Sequence, residues 1–114
     1  RDYAVLLMEC CRTLGLAARF VSGYMFAPSD QDERTAGAMH AWAEVYLPGA
    51  GWCGLDPTHG VWCDEHFIPI AHAAQAESVN PIQGTVYAPV PVCSRLFTEV
   101  RVERLDPAAL PLPA

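Results

Sequence analysis

Lysine is missing from this 114-residue chain: all seven basic residues are arginine, set against 13 Asp and Glu for a formal net charge of -6. An acidic balance of that size repels a nucleic-acid backbone or an anionic membrane surface, so neither is expected as a partner. No run reaches 18 uninterrupted apolar residues, which leaves no candidate for a membrane-spanning helix. Neither an initiator Met nor the n- and h-regions of a signal peptide open the sequence, and it reads as a piece of a longer protein. No segment repeats. The five cysteines, at 10, 11, 53, 63 and 93, are odd in number and include no CxxC pair. A disulfide scaffold is therefore not expected, and mostly buried thiols in a reducing, cytoplasmic compartment are.

With 52% apolar and 18% charged residues, the chain has the composition of one folded domain and is too short for two. Asp2 to Leu14 reads as an amphipathic helix. Tyr3, Leu7, Cys10, Cys11 and Leu14 recur at helical spacing and Gly15 stands as a C-terminal stop. Ala18 to Met25 reads as a strand, and Ala27 to Gly37 as a turn-rich loop able to border a site. Phe67 to Ala71 is a short edge strand, because Pro69 interrupts a central ladder. Ala73 to Gln83 is a helical turn or a loop, and Val86 to Val92, with two prolines, is irregular or an edge. Leu96 to Leu105 alternates strongly and reads as the last strand. One helix followed by antiparallel strands gives an α+β domain with the helix packed on the sheet. Residues 1–106 form this core and 107–114 a Pro/Ala-rich tail.

The chemistry gathers in Met39 to Leu47 and Trp52 to Pro57, two apolar stretches joined by Pro48-Gly49-Ala50-Gly51. The pattern is that of a hairpin. Alternation places His40, Trp42, Glu44 and Tyr46 on one face of the first strand, and Trp52, Gly54 and Asp56 on one face of the second. Pairing Leu47 with Trp52 sets His40 and Asp56 back to back. Pairing Tyr46 with Trp52 sets Asp56 diagonal to His40, within about 5.5–8 Å at Cβ. In that second register Asp56 can hold Nδ1 of His40 while Nε2 faces a reaction centre, as orienter and base of a nucleophilic triad. The plainer readings are a partly buried strand histidine and an Asp that caps its turn.

Other candidates carry less. Cys10 and Cys11 lie well inside the helix, away from the N–H groups that activate a thiol, and read as packing residues. Cys53 falls on the face opposite Asp56. His59, Cys63, Asp64 and His66 crowd one loop, but their spacing matches no common zinc site. Trp42 and Trp52 read as core against the helix or as walls of a groove. Glu44 is a possible substrate-side charge, about 13 Å along the strand from His40 and too far to replace Asp56. Neither a cofactor nor a metal is expected.

Arg1-Asp2-Tyr3-Ala4, Leu14 to Tyr24, His40-Ala41-Trp42-Ala43-Glu44-Val45, Gly51 to Thr58 and Asn80 to Gly84, in that order, closely resemble the core of the bacterial transglutaminase-like cysteine enzymes. The resemblance implies a papain-like arrangement, with a nucleophilic Cys at the N-terminus of the core helix, His40 as base and Asp56 as orienter. In that family the nucleophile stands directly before the block matched by Arg1 to Ala4, so the chain is expected to be cut just after it. The implied activity is acyl transfer from a peptide or protein amide through a thioester. Hydrolysis, as in a protease or amidase, is favoured over transfer to lysine. The implied partners are that amide substrate and a β-rich domain upstream in the same parent chain. A second reading is a non-catalytic binding or structural module of the same fold. His59 stands where related sequences often have Asn.

Overall fold

The computed structural model describes residues 1–26 and 39–109. The loop expected at 27–37 lies outside the described residues. Helix α1 spans Asp2–Thr13, a run rich in Ala, Leu, Met and Glu, all strong helix formers. Gly15 ends it at φ 78°, a left-handed conformation that glycine adopts without strain. The Gly15 N–H donates to the Arg12 carbonyl (2.9 Å) and the Leu16 N–H to the Cys11 carbonyl (3.0 Å), the Schellman pattern that satisfies the last carbonyls of a helix.

Among the described residues five antiparallel strands follow: β1 (Ala18–Met25), β2 (Met39–Leu47), β3 (Gly51–Asp56), β4 (Val61–Trp62) and β5 (Phe67–Ala73). Their order in the sheet is β4-β3-β2-β1-β5. Pairing of Phe20 with Ala43 and of Ala18 with Val45 puts these four residues on one face, where they bury with Ala4, Met8 and Cys11 of α1 and with Ala76. Arg12 ties the helix end to the sheet, donating to the carbonyls of Ala18 (3.0 Å) and Ala74 (2.5 Å).

The buried stripe of α1 is Ala4, Met8 and Cys11, while Tyr3, Cys10 and Leu14 are exposed. Relative to the expected stripe of Tyr3, Leu7, Cys10, Cys11 and Leu14, the helix is turned by about one residue, or roughly 100°. The reason is contact distance. Ala43 at the sheet centre is fully buried, and a helix lying that close needs Ala4 against the sheet rather than a tyrosine ring. Of the five thiols, only Cys11 is buried; Cys53 and Cys63 are half-buried, and Cys10 and Cys93 are exposed, so the expectation of mostly buried thiols does not hold.

The opposite face has a smaller apolar cluster. Val21 and Trp42 are each 1% exposed, and Phe67 meets Trp42 edge-on at 5.3 Å between centroids. The Trp42 ring lies against Gly23 and Gly54, where an added Cβ would stand 2.8 and 3.5 Å from it. Trp42 is thus core, as one reading had it, but on the side of the sheet away from the helix. Trp52 lies at the surface, under the Arg19 guanidinium (4.2 Å) and edge-on to Tyr46.

β5 is an edge strand as expected, with a register shift between Ser22 and Gly23 where Pro69 passes. Ala76–Val79 is a single 3-10 turn. Residues 96–105 are not a strand. Their alternation needs a partner edge, and the two edges of this sheet are the interrupted β5 and the two-residue β4. Leu96 and Phe97 stay exposed. Pro107–Ala109 forms one short 3-10 turn at the start of the tail. No helix among the described residues is long and apolar enough to cross a membrane.

Candidate functional site

The β2–β3 hairpin decides which side chains meet. Pro48 and Gly49 occupy its turn, Gly49 at φ 86°, and the Ala50 N–H closes it on the Leu47 carbonyl at 3.0 Å. Proline followed by a residue with positive φ is the signature of a type II turn. Gly51, at φ 78°, then re-enters the ladder opposite Leu47, so Tyr46 pairs with Trp52. This is the register that puts His40 and Asp56 on one face, and their side chains meet: His40 Nε2 and Asp56 Oδ2 are 2.8 Å apart.

Asp56 is 1% exposed and holds three hydrogen bonds. Oδ1 accepts from the Thr58 backbone N–H at 2.9 Å, an Asx-turn. Oδ2 is shared between Nε2 of His40 and, at 2.6 Å, Nδ1 of His59. The Gly60 N–H donates to the Asp56 carbonyl at 2.8 Å, and this tight turn folds His59 back onto the carboxylate three residues before it. Burial alone would raise the Asp56 carboxyl, but the hydrogen bonds from His59, His40 and Thr58, together with the His40 charge, hold it below the ordinary carboxylate value. An ionised carboxylate only accepts. Each imidazole must therefore carry its proton on the nitrogen that faces Oδ2.

For His40 that nitrogen is Nε2, and when the ring is neutral Nδ1 holds the lone pair that can take a proton. The expected arrangement, with Asp56 on Nδ1 and Nε2 toward the reaction centre, is reversed, because the carboxylate approaches from the far end of the ring. His40 also packs beside Trp42 and Phe67, at 6.3 and 6.2 Å between centroids.

The helix does not cover the face of the sheet that bears His40 and Asp56, since alternation places these residues opposite Ala43 and Val45. Its N-cap residue, Arg1, still comes close. Arg1, Ser22, Met39, His40, Ala41 and Thr58 line a cavity of about 280 Å³ at the end of the sheet where β2 begins. A larger groove adjoins it, sharing Arg1, Met39, Asn80 and Pro81 and walled on its far side by residues 96–100.

The remaining candidates are dispersed. Cys63 lies over Gly54, and burial, with Asp56, Glu44 and Asp64 nearby, pushes its thiol up to about 12, where it is protonated and unreactive. Cys53 lies on the helix side, as its pairing with Val45 requires. Glu44 is engaged by Arg19 at 2.5 Å, so it offers no unpaired charge to a substrate. His66 bonds to Asp64 at 2.9 Å and stacks on Phe26, and the trio His59, Cys63 and His66 does not converge. His40, Asp56 and His59 do offer ligand atoms within 4.8 Å of one another. At 2.8 and 2.6 Å from Oδ2, however, the two nitrogens stand at hydrogen-bond distance, nearer than the roughly 3.3 Å that separates donors around a tetrahedral zinc.

His59 is the residue of this site to which the sequence alone assigned no role. A local signal exists: a histidine three places after Asp in an Asp-Pro-Thr-His-Gly turn is within reach of that carboxylate.

Comparison with known proteins places this geometry in context. The chain is 37% identical over 94 residues to an uncharacterized protein of Mycobacterium tuberculosis, covering 76% of this chain and 30% of that protein. It is 30% identical over 86 residues to an uncharacterized protein of Mycobacterium leprae, covering 74% and 30%. The uncharacterized protein YebA of Bacillus subtilis is 28% identical over 67 residues, 52% of this chain and 9% of that protein. The chain thus spans about 30% of the length of the mycobacterial relatives. No solved structure matches it significantly. Residues 1–57, half of the chain and the part that contains α1, β1, β2, β3, His40 and Asp56, match the transglutaminase-like superfamily, and the chain belongs to that superfamily.

Proposed function

We propose that this chain provides the acid–base half of a transglutaminase-like thiol acyl-transfer centre, with His40 as base and Asp56 as orienter, and that the thiol is contributed by the parent protein at the start of α1. The observation that carries the reading is the buried Asp56 carboxylate holding Nε2 of His40, which leaves Nδ1 as the proton acceptor of the neutral ring, together with a cavity that both His40 and Arg1, the N-cap of α1, line. A thiol there would sit among the unpaired N–H groups of the helix end, which favour a thiolate. It would attack an amide carbonyl and pass its proton to His40. The leaving amine would take that proton, and water or an amine would release the acyl group from the thioester. Hydrolysis, the activity of a protease or amidase, is the favoured outcome. On this reading residues 1–106 are the core and 107–114 its tail, and the free thiols fit a reducing, cytoplasmic setting.

A second reading is favoured by a separate observation. No thiol of the described chain is placed to act: Cys63 is held protonated, Cys53 and Cys11 are on the helix side, Cys10 lies well inside α1, and Cys93 does not line the cavity beside His40. Taken alone, the 114 residues are then a non-catalytic transglutaminase-like module. An amidase assay on the isolated chain is expected to show background only. In the parent protein, iodoacetamide alkylation against pH is expected to reveal a thiol titrating below the ~8.5 of free cysteine, and His40→Ala is expected to return it toward that value. A parent whose thiols all titrate like free cysteine, with or without His40, would leave only the module reading.

A further inference from the structure

His59 shares one oxygen atom with His40. Both imidazoles end on Oδ2 of Asp56, His59 at the shorter distance of 2.6 Å, while Oδ1 is occupied by the Thr58 N–H. The Asp56 side chain is fully shielded from solvent in the folded chain, so these N–H groups and not bulk water satisfy its oxygens. The two rings are 5.4 Å apart between centroids. Carboxylate rotation about χ2 is therefore stopped from two sides, by Thr58 on one oxygen and by His59 on the other.

We propose that His59 is a positioning residue: its Nδ1–H locks the plane of the Asp56 carboxylate and takes a share of the charge on Oδ2, and through both effects it sets the orientation and hydrogen-bond strength of His40. The proposal rests on the reading of His40 and Asp56 given above. Its mechanism needs only a donor at the place of Nδ1. The amide nitrogen of Asn stands at that place and the amide nitrogen of Gln stands one bond further out, near the place of Nε2. His59→Asn should therefore conserve the function, and His59→Gln and His59→Ala should not.

Two measurements separate this proposal from the functional reading. The first is proton NMR of the 114-residue chain, following the low-field resonance of the His40 Nε2 proton bonded to Oδ2. In His59→Ala it is expected to move further downfield, because Oδ2 then serves one donor fewer, and in His59→Asn to return toward the wild-type position. The second is steady-state amidase kinetics of the parent protein. His59→Ala and His59→Gln are expected to lower kcat about tenfold with little change in KM, and His59→Asn to stay within about twofold of wild type, since small misplacements of a catalytic group are costly. An unmoved resonance in His59→Ala, or an Asn variant no better than the Gln variant, overturns the role of His59. Should the Ala variant fold poorly, the Asn and Gln pair decides alone. Activity indifferent to His40→Ala would refute the acyl-transfer reading, and the NMR shift would still decide whether His59 acts on His40 through Asp56.

Discussion

Replacing Asp56 with Asn tests the centre of this structure, because the substitution keeps the shape of the side chain and changes only what its atoms can donate or accept. The carboxylate accepts from three N–H groups: His40 and His59 on Oδ2 and Thr58 on Oδ1. With its oxygen at the place of Oδ2, Asn keeps both imidazoles but turns its NH2 against the Thr58 N–H. Turned the other way, it keeps Thr58 and presents its NH2 to both imidazoles, which can accept only by moving their protons to the opposite nitrogens. A buried donor left unsatisfied costs about 1–3 kcal/mol, and losing the charge from the remaining bonds adds about 1 kcal/mol. The total is about 2–4 kcal/mol, or roughly 8–16 °C in Tm at about 4 °C per kcal/mol for a domain of this size. The pH dependence has a definite sign. The folded-state pKa of Asp56 is lowered, so in acid the unfolded chain binds more protons than the folded one, and the contribution of the carboxylate is full above the unfolded value of about 3.9. It is lost as pH falls through the lower folded value. Thermal denaturation followed by circular dichroism should therefore show the full gap between wild type and Asp56→Asn near neutral pH and a narrowing gap below about pH 4. A variant melting within 1 °C of wild type near neutral pH, or a gap that persists in strong acid, would refute a carboxylate held by three donors.

Gly23→Ala should be strongly destabilising, by more than about 2 kcal/mol, because its Cβ would collide with the Ile68 carbonyl and the Trp42 ring; a chemical melt with an unchanged midpoint would contradict that packing. Mass spectrometry after a short iodoacetamide pulse at mildly alkaline pH should find exposed Cys10 and Cys93 modified well before Cys63, whose thiol is pushed up to about 12. Early labelling of Cys63 would show that the surroundings of Gly54 are misread. Glu44→Gln should cost about 1–3 kcal/mol, because its pair with Arg19 is partly buried, and leave the alkylation profile of the parent thiol unchanged, since Glu44 serves Arg19 and not the site. A changed profile would restore Glu44 as a group of the site.

Local chemistry wrote much of this protein into its sequence. Gly15 and the Pro48–Gly51 stretch marked the end of α1 and the hairpin directly, but two registers fitted that turn, and only the folded ladder, with Gly51 opposite Leu47, chose the Tyr46–Trp52 pairing that puts His40 and Asp56 on one face. Pro69, unable to donate to a ladder, marked β5 as an edge. What depends on convergence in space could not be read. The stripe that α1 buries was set by how closely the helix approaches Ala43, the strand expected at 96–105 failed for want of an edge to pair with, and Trp42 joined a core on the face that the helix leaves bare. The same holds at the site. Periodicity states on which face a residue lies, but not from which end a carboxylate reaches an imidazole or how many donors it serves. Only the folded turn after β3 brings His59 onto the oxygen that His40 already uses and leaves Nδ1, not Nε2, as the nitrogen able to accept a proton.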